Sequence, residues 1–190
     1  MGVIEVQEPA RMTSESFLEF CRLNPDLNFE LDKNGNILVM APVGFDGSIN
    51  EGLAYEILTT WNNQARPGYV TNSNGGYKLP DGSIKVPDAA WVSRARIDAL
   101  SKAQRVGFPP LCPDFVIEVR SATDSLGPLQ KKMAEYMQNG CRLAFLVDPV
   151  DGQAFVYRAG MEAEHITGLE VHLSGEDVLP GFLLDLKLFS

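Results

Sequence analysis

Apolar and polar positions along this chain follow two periods, one near 3.6 residues and one of 2, and they divide it into helices and strands. Residues 14–23 predict a helix, with Ser14 as its cap and Phe17, Leu18 and Cys21 on one face. Residues 29–31 and 37–40 predict a hairpin, because Asn34-Gly35 between them is a strong turn signal. The glycine-bearing loop PVGFDGS then leads into a helix over 49–64 with Leu53, Ile57 and Trp61 as its apolar stripe, ended by Arg66-Pro67-Gly68. Strand-like pieces follow at 69–70, 76–79 and 84–86, the last two separated by the turn Pro80-Asp81-Gly82, and the run AAWV continues as strand. Ser93 caps a predicted helix over 94–103. DFVIEV at 114–119 is a short apolar run suited to a buried central strand. Ser125 caps a helix that ends near Asn139 with Gly140 as its stop. A second buried strand at 143–147 turns through Pro149 and Asp151-Gly152 into another at 154–157, and short strands are expected around 162–173 and 182–188.

The order strand, helix, strand over 114–147 is the pattern of a right-handed parallel crossover. Tight turns join the other strands. The predicted class is therefore α/β with a mixed sheet. No internal repeat or Gly/Ser linker divides the chain, so residues 1–190 read as one domain.

Composition narrows the function. With 45% hydrophobic and 22% charged residues the chain is too apolar for intrinsic disorder. No run approaches the ~18 apolar residues of a membrane span, and the first residues lack a signal-peptide layout. The cysteines Cys21, Cys112 and Cys141 form no CxxC pair and read as reduced, buried thiols of a cytoplasmic protein. The two histidines, His165 and His172, make a zinc site or a His-based triad improbable, so any metal would be a hard ion bound by carboxylates. A net charge of −9 disfavours bulk attraction to nucleic acid, though not a local basic groove. Arg94, Arg96, Lys102 and Arg105 are candidates for a phosphate track, against the default of a solvated helix face.

Three residues carry candidate chemistry. Glu118 stands alone within Phe115-Val116-Ile117-Glu118-Val119, where a carboxylate is costly unless paired or bound to a cation. Its structural alternatives are a strand-end residue turned to solvent and an ion pair with Arg120 on the same face. Asp88 follows Pro87 between two strand-like pieces, and it could simply satisfy backbone donors at a bend. Lys132 borders the stripe of Leu129, Met133 and Met137, with Tyr136 one turn on, and it could be a solvated lysine as Lys131 is expected to be. Two strand carboxylates and a nearby lysine are what metal-dependent phosphodiester hydrolysis requires. The carboxylates hold Mg²⁺, which keeps several waters, and the lysine orients the attacking water or offsets charge on phosphorus.

The spacing from Pro87-Asp88 to Glu118-Val119-Arg120 resembles the PD-(D/E)XK nuclease pattern. A longer likeness runs through MAPVG, KLPDGSIKVPDAAWVS, PDFVIEVRS, KMAEY, NGCRLAFLVDP and SGEDVLPGF. On these segments the chain is similar to the Uma family of bacterial putative restriction endonucleases. The resemblance implies a restriction-endonuclease-like core, a mixed central sheet flanked by helices. It implies Mg²⁺, with Mn²⁺ as a possible substitute, held by Asp88 and Glu118 with the Val119 carbonyl as a further ligand. It also implies DNA as substrate and a homodimer. Arg120 stands where the superfamily has its lysine and cannot act as a base; Lys132 fits the place to which that lysine migrates. Of Glu51 and Glu56, candidates for an early-helix acid, Glu51 lies nearer the helix start. Asn50 is a weaker candidate for a ligand contact. A second function fits the same residues: a nuclease-fold protein that binds nucleic acid or a protein partner without cutting.

Overall fold

The computed structural model describes residues 12–190. In chain order the elements are α1 (Ser14–Leu23), β1 (Asn28–Leu31), β2 (Ile37–Met40), α2 (Phe45–Ala65), β3 (Gly68–Asn72), β4 (Tyr77–Lys78), β5 (Ile84–Lys85) and β6 (Ala89–Ser93). They continue with α3 (Arg94–Asp98), α4 (Lys102–Val106), β7 (Phe115–Val119), α5 (Leu126–Gln138), β8 (Leu143–Asp148) and β9 (Gln153–Arg158). β10 (Glu164–Thr167), β11 (His172–Ser174), β12 (Leu183–Asp185) and a 3-10 turn (Leu186–Phe189) complete the chain.

A six-stranded sheet in the order β10-β9-β8-β7-β6-β3 forms the centre. Among the described residues only β7 and β8 run parallel within it, joined through α5 as the strand–helix–strand pattern predicts. β7 is buried at every position. Its odd-numbered residues Phe115 and Ile117 pack on one side with Ala54 and Leu58 of α2, and with Phe145 and Phe182. Its even-numbered Val116 packs on the other side with Met133 and Tyr136 of α5. Phe115 meets Phe145 and Phe182 edge to face, a geometry worth about 0.5–1.5 kcal/mol per pair beyond the area buried. A smaller four-stranded sheet, β2-β1-β5-β4, lies with α1 over a third cluster of Phe17, Phe29, Leu31 and Ile84. Among the described residues no helix is long and apolar enough to cross a membrane.

Several boundaries differ from the sequence reading. Thr13, not Ser14, caps α1, because its hydroxyl reaches the Ser16 N–H in a capping box. α2 begins at Phe45 rather than 49, and its first turn carries no apolar stripe: Phe45 and Ile49 are exposed. Its buried face is Ala54, Leu58 and Asn62, one residue on from Leu53, Ile57 and Trp61, which pack at the flank. The single helix expected over 94–103 is two short ones, because Ser101 caps α4 through Gln104 and starts it anew. Ser125 occupies the cap position of α5 but makes no side-chain capping bond. Cys112 and Cys141 are buried, whereas Cys21 is half-buried.

Candidate functional site

The antiparallel ladder between β6 and β7 pairs Ala89 with Ile117. One step further along that register, Asp88 and Glu118 face each other across the strand gap. Asp88 Oδ2 accepts a 2.7 Å bond from the Val119 N–H. Because the N–H and C=O of one strand residue point to the same edge, the Val119 carbonyl also faces Asp88. Both carboxylates have the parity of Val116, so they lie on the side of the sheet that α5 covers.

From α5, Lys132 reaches down to them. Its Nζ donates to Glu118 Oε1 (2.8 Å), to Glu30 Oε1 (2.9 Å) and to the Val86 carbonyl (3.0 Å). The Tyr136 hydroxyl, one turn on, donates to Glu118 Oε1 (3.3 Å). The expected convergence of positions 88, 118 and 132 is therefore present in space. Glu118 pairs with Lys132 and not with Arg120. The Arg120 guanidinium bonds Asp148 (2.9 Å), Asp151 (2.5 Å) and the Asp124 carbonyl (3.1 Å), binding the end of β7 to the turn after β8. The Asp124 carboxylate holds the intervening loop through the Ser121 N–H (3.0 Å) and hydroxyl (2.6 Å).

The electrostatics of the group are unbalanced. Burial pushes the Asp88 carboxyl up to about 7, against the attraction of Lys132 and with Glu51 adding to the rise. Burial likewise pushes Glu118 up to about 8, opposed by Lys132 and reinforced by Asp88 and Glu30. Burial also raises Glu51, with a bond from Ser73 opposing and Glu118 and Asp124 adding. Glu51 thus lies in the electrostatic field of the group. Glu56 is exposed on another face of α2. Burial disfavours the charged form of Lys132, but Glu118, Glu30 and Asp88 outweigh it and hold the ammonium protonated.

Three charged residues absent from the sequence reading join this group. Glu30 of β1 and Lys85 of β5 are 4% and 3% exposed, although each stands in a strand on the smaller sheet. Lys85 Nζ lies 3.5 Å from Glu30 Oε2 and 2.9 Å from Glu135 Oε2 of α5. The Val86 N–H also donates to Glu30 Oε1 (2.9 Å). The signal that singled out Glu118, a lone charge among apolar neighbours, is present in Phe29-Glu30-Leu31 and Ile84-Lys85-Val86.

Other candidates lie elsewhere. Arg94 is committed to the Arg66 carbonyl and the Tyr69 hydroxyl, and Arg96 to Asp114, so the predicted basic track loses two of its members. Lys102 and Arg105 are exposed. Asn50 lines a cleft of about 310 Å³ together with Phe45, Ser121, Thr123 and Val150. A larger groove of about 480 Å³, bordered by Leu18, Tyr69, Tyr77 and Phe108, contains none of Asp88, Glu118 or Lys132.

For a metal ion, the donors on offer are all oxygen. Among the described residues no three His, Cys, Asp or Glu side chains form a cage. Two carboxylates and a backbone carbonyl nonetheless suit Mg²⁺, which binds through one or two carboxylates and keeps several waters. Two carboxyls held above their ordinary range beside one lysine are also a place where a further cation is favoured.

The mixed sheet with α2 on one face and α5 on the other defines a restriction-endonuclease-like fold. The chain belongs to the Uma2 family, described as "Putative restriction endonuclease", whose model matches residues 14–187. Over 94% of its length it superposes on 97% of a solved "putative nuclease belonging to DUF820 from Anabaena variabilis ATCC 29413", with a TM-score of 0.77 at 19% identity. A structure of the DrdV–DNA complex matches 93% of this chain and 13% of its own, at 15% identity and a TM-score of 0.40. No curated protein matches the chain.

Proposed function

We propose that this protein is a Mg²⁺-dependent endonuclease that hydrolyses phosphodiester bonds of DNA, with Mn²⁺ able to substitute. The observation that carries the reading is the meeting of Asp88, Glu118 and Lys132 at one end of the central sheet, with Lys132 Nζ 2.8 Å from Glu118. Asp88, Glu118 and the Val119 carbonyl would hold the ion. When bound, such an ion supplies Lewis-acid polarisation of a phosphoryl oxygen and makes water a stronger nucleophile at neutral pH. Lys132 acts as a fixed positive charge, since its carboxylate neighbours keep the proton on it. It stabilises negative charge developing on the phosphoryl group and orients the attacking water. Glu51 completes the acidic mouth from α2. A homodimer would present two such sites to two strands, and sedimentation equilibrium measures this directly.

A second reading, a nuclease fold that binds without cutting, is favoured by the commitment of Lys132 to three acceptors. One experiment separates the two. Plasmid and single-stranded DNA are incubated with the protein in Mg²⁺, Mn²⁺ or EDTA, beside Asp88→Asn, Glu118→Gln and Lys132→Ala. Endonuclease action requires cutting that depends on the ion and falls by about 100-fold or more in each variant. Equal cutting by wild type and variants identifies a contaminant. Binding without cutting moves the assignment to the second reading.

A further inference from the structure

Behind Lys132 runs a chain of alternating charge that metal binding and hydrolysis do not themselves require. Glu135 meets Lys85, Lys85 meets Glu30, Glu30 meets Lys132, and Lys132 meets Glu118, at 2.9, 3.5, 2.9 and 2.8 Å. Lys132 and Glu135 rise from one face of α5, three residues apart. The middle of the series comes from β1 and β5, whose pairing of Leu31 with Ile84 sets Glu30 opposite Lys85. The side chains of Glu30 and Lys85 are 5% and 4% exposed. A glutamate and a lysine at this depth are costly to desolvate. Replacing such groups with apolar ones of similar volume is often neutral or stabilising, so stability alone gives them weak support.

Geometry gives Glu30 a specific task. A lysine ammonium has three hydrogens on a flexible four-carbon stem and no preferred direction of its own. Here Glu30 Oε1 and the Val86 carbonyl take two of them, and Val86 N–H in turn fixes Glu30 Oε1 at 2.9 Å. With two directions set, the tetrahedral nitrogen has one left, and it points at Glu118 Oε1. We infer that Glu30 is a positioning residue that aims the Lys132 ammonium at the Glu118 end of the site, with Lys85 as the counter-charge that keeps Glu30 in place. The smaller sheet then contributes to the site through Glu30. This inference rests on the proposed nuclease reading for its catalytic meaning, but the orientation of Lys132 can be tested without activity.

The test is the exchange of lysine Nζ protons with water, read in ¹H–¹⁵N spectra of the full chain, with the Lys132 signal assigned by its loss in Lys132→Arg. Wild-type Lys132 should give a slowly exchanging signal. Glu30→Gln should speed its exchange by about tenfold or more and, where the wild type cuts DNA, lower kcat by about 10–100-fold, with KM for DNA and the Mn²⁺ Kd within about threefold. Should Glu30→Gln not fold, Glu30→Asp, which keeps the charge on a shorter arm, should show the same faster exchange. A Lys132 signal unchanged in a folded Glu30 variant overturns the inference, because a merely structural Glu30 would alter only the melting temperature. If the wild type cuts no DNA, the nuclease reading falls, while the Nζ exchange still decides whether Glu30 orients Lys132.

Discussion

Asp88 and Glu118 behave unlike most carboxylates of a folded protein, and the difference has a sign that can be measured. An acid whose pKa is raised by folding holds its proton more tightly in the native state. The stability it contributes is then full at low pH and lost as pH rises. In the unfolded chain both groups titrate near 4; in the fold, burial moves them to about 7 and about 8. Across roughly pH 4 to 8 the wild type should lose stability relative to Asp88→Asn and Glu118→Gln, which do not ionise. Thermal melts in EDTA should show the Tm advantage of the variants growing through this window. Adding Mg²⁺ at pH 8 should raise the wild-type Tm alone. A difference that stays flat with pH would mean that the carboxyls are not desolvated as the fold implies. The lone charge inside an apolar run made Glu118 visible in the sequence. Glu30 and Lys85 carry the same mark, but they stand in separate strand-like pieces whose pairing the sequence does not specify.

At the scale of elements, the strands were the more legible. β7 and β8 read as buried because each is a short, mostly apolar run with apolar residues on both faces, and the helix between them dictates parallel pairing. The helices were harder. The register of α2 missed by one residue because the buried position that fixes it is polar: Asn62. Its Oδ1 accepts from the Gly68 N–H (3.2 Å) and from Trp91 Nε1 (3.0 Å), linking α2 to both β3 and β6. Asparagine in a helix counts as solvent-facing in any hydrophobic pattern, so the pattern places Trp61 on the buried face instead. Asn62→Ala would leave two buried donors without an acceptor and should cost about 2–4 kcal/mol. Urea unfolding should show a lower midpoint with an unchanged slope. Gly68 lies so close to β6 that a Cβ there would stand 2.2 Å from the Val92 carbonyl oxygen.

For the molecule as a whole, the charge of −9 works against a polyanionic substrate. Arg94, Arg96 and Arg120 are tied up in bonds within the fold. On the proposed function, attraction to DNA would then come largely from an ion bound at the site and from local contacts. Fluorescence anisotropy with labelled duplex DNA should therefore give binding about tenfold tighter in Ca²⁺ than in EDTA, with a shallow dependence on monovalent salt. The Ca²⁺ advantage should vanish in Asp88→Asn. Binding that is equally tight in EDTA and steeply salt-dependent would point to a basic surface instead.

The order of residues alone fixed the α/β class, the crossover strands, and the family to which residues 14–187 belong. It also marked Asp88, Glu118 and Lys132, because unpaired charges beside apolar runs stand out by composition. Which partner each charge meets lay beyond its reach. Arg120 is two residues from Glu118 yet bonds Asp148 and Asp151, while Lys132 and Glu30 arrive from a helix and from another sheet. Pairing at such separations depends on strand register and on how α5 lies across the sheet, and those are settled only when the whole chain packs.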